Sequence, residues 1–259
     1  MKKAVKYILY AVLACVILGC IVAAYFAGIE SRKSLVCKDI KIVILDSLEN
    51  RFVSVADVRT YIDRSCGDLI GEQLDSIDLV KVENAIDSRS AVLKSQAYVT
   101  KDSILNITVT QRKPVVRFQK KDGGFYADAE GYIFPLQHSY ASYVQVIDGH
   151  IPLAANSGYK GDIADPKEKE WFRSVMRVVN YMESSKVWKG KIVQISVAEN
   201  GDLIFIPREG NERFIFGQPH SIEEKLSKME KYYTNIIPEK GAGKYSVVDL
   251  RFEKQIVCK

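Results

Sequence analysis

Twenty-three consecutive residues without a charge, YILYAVLACVILGCIVAAYFAGI from Tyr7 to Ile29, constrain this 259-residue chain more than any other stretch. As an α-helix such a run extends roughly 34 Å, enough to cover a bilayer hydrocarbon core of about 30 Å. The pattern therefore predicts an uncleaved transmembrane helix over residues 7–29. Two rival readings are a cleaved secretory signal and a lipoprotein processed at Cys20, which follows Ile17-Leu18-Gly19. A signal's apolar region runs only about 7–15 residues. Nine further apolar or small residues follow Cys20, which favours a span over a lipid-anchored cysteine.

Basic residues lie on both sides of this run, Lys2, Lys3 and Lys6 before it and Arg32, Lys33 and Lys38 after it. The head is short and every charge in it is basic, which points it toward the cytoplasm. The expected layout is a cytoplasmic head at residues 1–6, the span at 7–29, a linker at 30–38, and the bulk of the chain outside.

A formal charge of +5, with no run of five basic residues and no basic stripe interleaved with aromatics, gives nucleic-acid binding no support. At 47% hydrophobic residues the outer part can bury packed cores. Cys15 and Cys20 fall in the span, leaving Cys37, Cys66 and Cys258. That odd number has no metal-ligand spacing, and Cys37 and Cys66 either pair or stay as thiols.

The outer part starts with a β-rich run, Asp39 to Asp46. Ser54 is placed to cap a helix with Val55, Val58 and Ile62 on one face, ended by Gly67. A second helix is expected over Leu79 to Ser88, then strands near Val92 to Thr100 and Ile104 to Gln111. This strand-helix-helix-strand-strand order suits a small sheet covered by two helices. In LNITVTQRKPVVRF, from Leu105 to Phe118, strict alternation stops at Arg112-Lys113-Pro114. Proline cannot donate to a sheet ladder, so this is the corner into a second unit.

Beyond the corner a meander is expected, with a hairpin at Phe125–Asp128 and Tyr132–Phe134 and a strand at Val144–Ile147. A helix from about Lys167 places Trp171, Val175, Val178 and Met182 on one face. Asn200-Gly201 marks a hairpin between Lys191–Ala198 and Asp202–Ile206, and Arg213–Phe216 pairs next. Ser221 and Glu224 read as a capping box for a helix with Ile222, Leu226, Met229, Tyr233 and Ile236 in a stripe, ended by Pro238. A closing strand, Tyr245 to Phe252, follows, and Gln255–Cys258 extends it past a turn or bulge. The loop from Asn156 to Asp165 fits none of these elements.

Chemistry is sparse. His138, His150 and His220 sit apart as loop histidines, and no HExxH, GxSxG or Walker pattern occurs. Asp128 and Glu130 flank a turn. Asn106-Ile107-Thr108 matches a glycosylation acceptor, but it lies within a strand. No catalytic residue, metal site, cofactor or small-molecule substrate is indicated. A binding surface is the better reading: were Tyr245 to Val257 to lie at a sheet edge, its free backbone groups would accept a partner strand. An ordinary, covered strand is the other reading.

Three stretches in this order resemble the FtsQ/DivIB cell-division family: ITVTQRKPVVRF at the junction, YADAEGYIFPL at the hairpin, and FGQPHSIEEKLSKMEKYY followed by VVDLRF. The resemblance covers essentially the whole chain. It implies an α+β protein with an N-terminal transmembrane helix, a POTRA-like βααββ domain at 39–113 and a mixed β-sheet domain with two flanking helices at 114–259. It implies a non-enzymatic divisome scaffold in the cytoplasmic membrane at the division site, its bulk in the periplasm or cell exterior. The implied partners are an FtsB- or DivIC-like and FtsL-like coiled-coil pair, docked by strand addition at Tyr245, Val247, Asp249, Leu250, Arg251 and Phe252. A membrane-proximal recruitment role would fall on Ile40 to Leu45. Other readings are a single-span envelope assembly or secretion factor with a POTRA-like domain, and a membrane-anchored hydrolase.

Overall fold

The computed structural model describes residues 13–25, 35–137 and 140–259. Residues 13–25 are helical and exposed, while the rest of the expected 7–29 span, the head, residues 30–34 of the linker and His138 lie outside the described residues. Among the described residues no helix is long and apolar enough to cross a membrane. The chain divides into two units, one of residues up to Ser47 with Val53–Gln111, the other of Leu48–Phe52 with Arg112–Lys259.

The first unit is a three-stranded sheet in the order β1-β3-β2, with β1 at Asp39–Ile44, β2 at Val92–Val99 and β3 at Ile104–Gln111. The alternation of β3 buries Leu105, Ile107 and Val109 completely. β1 runs parallel to β3 and β2 antiparallel to it. Helices α1 (Val55–Cys66) and α2 (Leu79–Asp87) contribute Val58, Ile62, Val82 and Ile86 to the core. The Ser54 hydroxyl accepts from the Asp57 amide at 3.2 Å while Asp57 Oδ2 accepts from the Ser54 amide at 2.9 Å, a reciprocal box that starts α1. Val55, expected on the inner face, is exposed, because at the first helical position it precedes the turn that meets the sheet.

The second unit is a nine-stranded sheet ordered β12-β11-β10-β9-β8-β7-β4-β5-β6. Its strands are β4 (Pro114–Lys120), β5 (Gly123–Asp128), β6 (Ile133–Pro135), β7 (Gln145–Gly149), β8 (Ile192–Val197), β9 (Leu203–Pro207), β10 (Arg213–Gly217), β11 (Val247–Asp249) and β12 (Val257–Cys258). The expected meander is corrected in part: β4–β7, β7–β8 and β10–β11 are parallel pairs. Two helices, α3 (Pro166–Ser184) and α4 (Ile222–Lys231), bury Phe172, Val175, Val179, Met182, Leu226 and Met229 in the same apolar cluster as Phe118, Phe205 and Phe214. Trp171, expected on the buried face of α3, is partly buried and packs at the margin of that cluster.

Two features at α4 differ from the sequence reading. Ser221 has φ +51 and makes no side-chain cap bond, because the left-handed backbone turns its hydroxyl away from the first helical amides. Pro238 does not end the helix: a π-helical turn at Tyr232–Ile236 is followed by a last turn, α5 (Ile237–Lys240), and Gly241 closes it at φ +90. Proline is tolerated there because it sits in a first turn, where its missing N–H has no bond to make.

Candidate partner-binding edge

β11 is paired on both sides, parallel to β10 through Val247 and Val248 and antiparallel to β12 through Val248 and Asp249. The expectation that the strand carrying Val247 and Asp249 forms the open edge is therefore corrected. After Leu250 the chain turns back, and the short β12 takes the outer place. Leu250 is fully buried and donates its amide to Ile215 O at 3.0 Å, so it belongs to the core. Tyr245 is partly buried against that core, and Phe252 is exposed in the turn.

Side chains from three directions hold this turn. Arg251 Nε lies 3.0 Å from Asp249 Oδ1, Nη2 2.7 Å from Oδ2, and Nη1 3.0 Å from Asp202 Oδ2. Hydrogen bonds from Arg251 hold the Asp249 carboxyl below the usual carboxylate range, and the same pairing raises the guanidinium. From α4, Lys228 Nζ donates to Phe252 O at 2.7 Å and Leu250 O at 3.3 Å and meets Glu224 Oε1 at 2.8 Å. One turn earlier, Lys225 Nζ donates to Gln218 O at 2.8 Å and stands over the Phe216 ring, and burial pushes its ammonium down. The helix stripe that supplies Leu226 and Met229 to the core thus presents lysines to backbone carbonyls along its flank.

The hydrogen-bond alternation of β12 shows which groups face outward. Val247 and Lys259 exchange backbone bonds at 3.1 and 2.9 Å. In an antiparallel pair the next residue points the other way, so Cys258 and Ile256 direct their N–H and C=O groups away from β11. Burial pushes the Cys258 thiol up. Beside Ile256 lies a cleft of about 660 Å³ between α4 and the turn, flanked by Lys231, Glu253 and Lys254.

The opposite edge of the sheet is closed. Ile133 of β6 donates to Gly161 O at 3.1 Å and accepts from Gly161 N at 2.9 Å, and β6 ends on Pro135, which has no donor. The loop from Asn156 to Asp165, unplaced in the sequence reading, is this cover. Among the described residues no strand pairs with the outer side of β12. A sheet with one sealed and one unsealed edge is open to strand addition in one place. The seal was not legible beforehand because it depends on a single glycine meeting a strand from which β7 separates it in the sequence.

Nothing in the described residues gathers reactive groups. No group of His, Cys, Asp and Glu there is placed to hold a metal ion. His150 is exposed and 3.7 Å from Glu199, and His220 is exposed beside Ser221. All five cysteines are free thiols, so Cys37 and Cys66 are not joined.

Residues 113–259 match the family described as FtsQ/DivIB, C-terminal related, and residues 35–110 match the POTRA-like domain. No curated protein matches the chain.

Proposed function

Because this chain belongs to the FtsQ/DivIB family, we propose that it is a non-enzymatic scaffold of the bacterial cell-division machinery, tethered by residues 7–29 and carrying its folded units outside the cytoplasm. Its role is to gather other divisome membrane proteins. The partner on the second unit is an FtsB- or DivIC-like chain of a coiled-coil pair, with an FtsL-like chain as the other member. It adds an extended strand to the outer side of β12.

The observation that carries this reading is the asymmetry of the nine-stranded sheet. Gly161 and Pro135 close the β6 edge, whereas the outward groups of Ile256 and Cys258 have no strand beside them among the described residues. Arg251, Asp249 and Lys228 act by holding the turn that presents β12, and Phe252 and Tyr245 flank it.

The test uses the full chain co-expressed with its coiled-coil partner. Cys258→Pro removes an outward N–H that the β11 ladder does not use, so the domain keeps its fold while strand addition loses a hydrogen bond and meets the proline ring. Co-purification is expected to fall by roughly tenfold or more, with Cys258→Ser behaving as wild type. Equal recovery with Cys258→Pro would overturn the edge assignment. A fluorescent fusion is expected at the septum, and an even envelope distribution in dividing cells would overturn the division role.

A further inference from the structure

The three-stranded sheet also has two edges, and they differ. On β2 the outward amide of Ala97 donates to Glu83 Oε1 at 2.7 Å, and Ser95 Oγ donates to Glu83 O at 3.3 Å. Ser95 is only 3% exposed. Helix α2 therefore lies along β2, and a strand added there would have to displace it.

β1 has no such cover among the described residues. Leu45 donates its amide to Val109 O at 3.0 Å. Alternation then turns the backbone groups of Lys41 and Val43 toward β3 and those of Ile40, Ile42 and Ile44 outward. The Ile40 amide is taken by Asp39 Oδ1 at 2.8 Å, a local block at the start of the strand. The outward groups of Ile42 and Ile44 meet no strand, and β1 contains no proline. A flat edge of this kind is what folded proteins ordinarily guard.

Side chains on the same strand specify the occupant. Ile40, Ile42 and Ile44 are in register with Leu105, Ile107 and Val109, yet they are only partly buried where their neighbours are fully buried. They leave apolar surface at the rim for a further row of side chains. The other face of the sheet carries Lys41 and Lys94 in register with Asn106 and Thr110, and its one strand carboxylate, Asp39, is engaged by the Ile40 amide. Two ammonium groups against one carboxylate leave that face with a net positive charge.

We propose that the outer side of β1 receives an extended segment of a partner protein in which β-branched apolar residues alternate with acidic ones. The apolar set packs beside Ile40, Ile42 and Ile44, and the acidic set faces Lys41. This site is separate from β12 and stands on the first unit's geometry alone.

The probe is a fluorescein-labelled seven-residue peptide alternating glutamate with valine and isoleucine, titrated by anisotropy into the detergent-solubilised full chain. Saturable binding is expected, stronger than that of the same peptide with lysine in place of glutamate. Ile42→Pro removes an outward N–H that the β3 ladder does not use, and is expected to weaken binding roughly tenfold while the first unit still melts cooperatively, its melting temperature lowered only by the side-chain packing lost at this half-buried position. Lys41→Glu, an exposed change, is expected to weaken it severalfold, and Cys258→Pro to leave it unaltered. The proposal is overturned if binding does not saturate, if Lys41→Glu and Ile42→Pro both bind like wild type, or if only Cys258→Pro abolishes binding. Sedimentation showing that Ile42→Pro abolishes a dimer of the full chain would also overturn it, by making a second copy the occupant.

Discussion

Arg251 grips Asp249 with two nitrogens, Nε at 3.0 Å from one carboxylate oxygen and Nη2 at 2.7 Å from the other, across a single intervening residue. Its third nitrogen reaches Asp202 of the β8–β9 turn at 3.0 Å. One guanidinium thus ties the turn that follows β11 to a hairpin two strands away, and the position of β12 depends on it.

Neutralising Asp249 tests that tie. The arginine is 42% exposed, so solvent screening limits the loss from Asp249→Asn to about 1 kcal/mol. The sign follows from a folded-state carboxyl that hydrogen bonds from Arg251 hold below the usual carboxylate range. Its contribution is present above the unfolded value and is lost as pH falls through the lower folded value. Urea melts at neutral pH and in strong acid should show the wild-type advantage over Asp249→Asn shrinking toward zero in acid. A pH-independent gap would contradict the pairing.

Lys228→Met keeps the aliphatic length and removes three bonds. The carbonyls of Leu250 and Phe252 lose their donor and Glu224 loses its partner. A lost charge-assisted donor to buried acceptors costs about 2 kcal/mol. Hydrogen exchange should accelerate at Arg251–Ile256 before it accelerates in β9 or β10. Uniform acceleration would mean that the lysine stabilises the sheet generally.

Gly161→Pro should open the sealed edge. Gly161 has φ +104 and donates to Ile133, and proline satisfies neither condition. The expected outcome is a loss of about 2–3 kcal/mol and concentration-dependent self-association through β6, read by light scattering. A destabilised but strictly monodisperse variant would count against the role of the loop as a cover.

Phe52 packs edge-on against Tyr126, Phe134 and Tyr140, with ring centroids at 5.4, 5.6 and 4.9 Å, and it is 5% exposed. Phe52→Ala should cost about 3–4 kcal/mol, the range for emptying a buried aromatic site, while Phe52→Leu recovers much of it. Thermal denaturation reads both. A loss below 1 kcal/mol for the alanine variant would mean that the ring cluster closes over the gap.

Much of the fold was legible along the chain. The alternation of Leu105, Ile107 and Val109, the cap at Ser54, the turn at Asn200-Gly201 and the corner at Pro114 are interactions among near neighbours, and each appears where the pattern put it. The parallel pairs were not legible, since β4 and β7 are joined by two intervening strands, and alternation says which face a residue takes without saying which strand lies beside it. The candidate site followed the same division. Val248 and Leu250 were recognisable as inward-facing, whereas Phe252 left that face because the backbone turns after Leu250.

Local chemistry therefore settled the elements, their order and the family resemblance, because helix caps, turn glycines and alternating apolar residues act over a few positions. Which strand ends the sheet was settled by assembly alone. Being an edge is a statement about the absence of a neighbour, and that absence arises only once Gly161 has closed β6 and the turn held by Arg251 and Lys228 has carried β12 past β11.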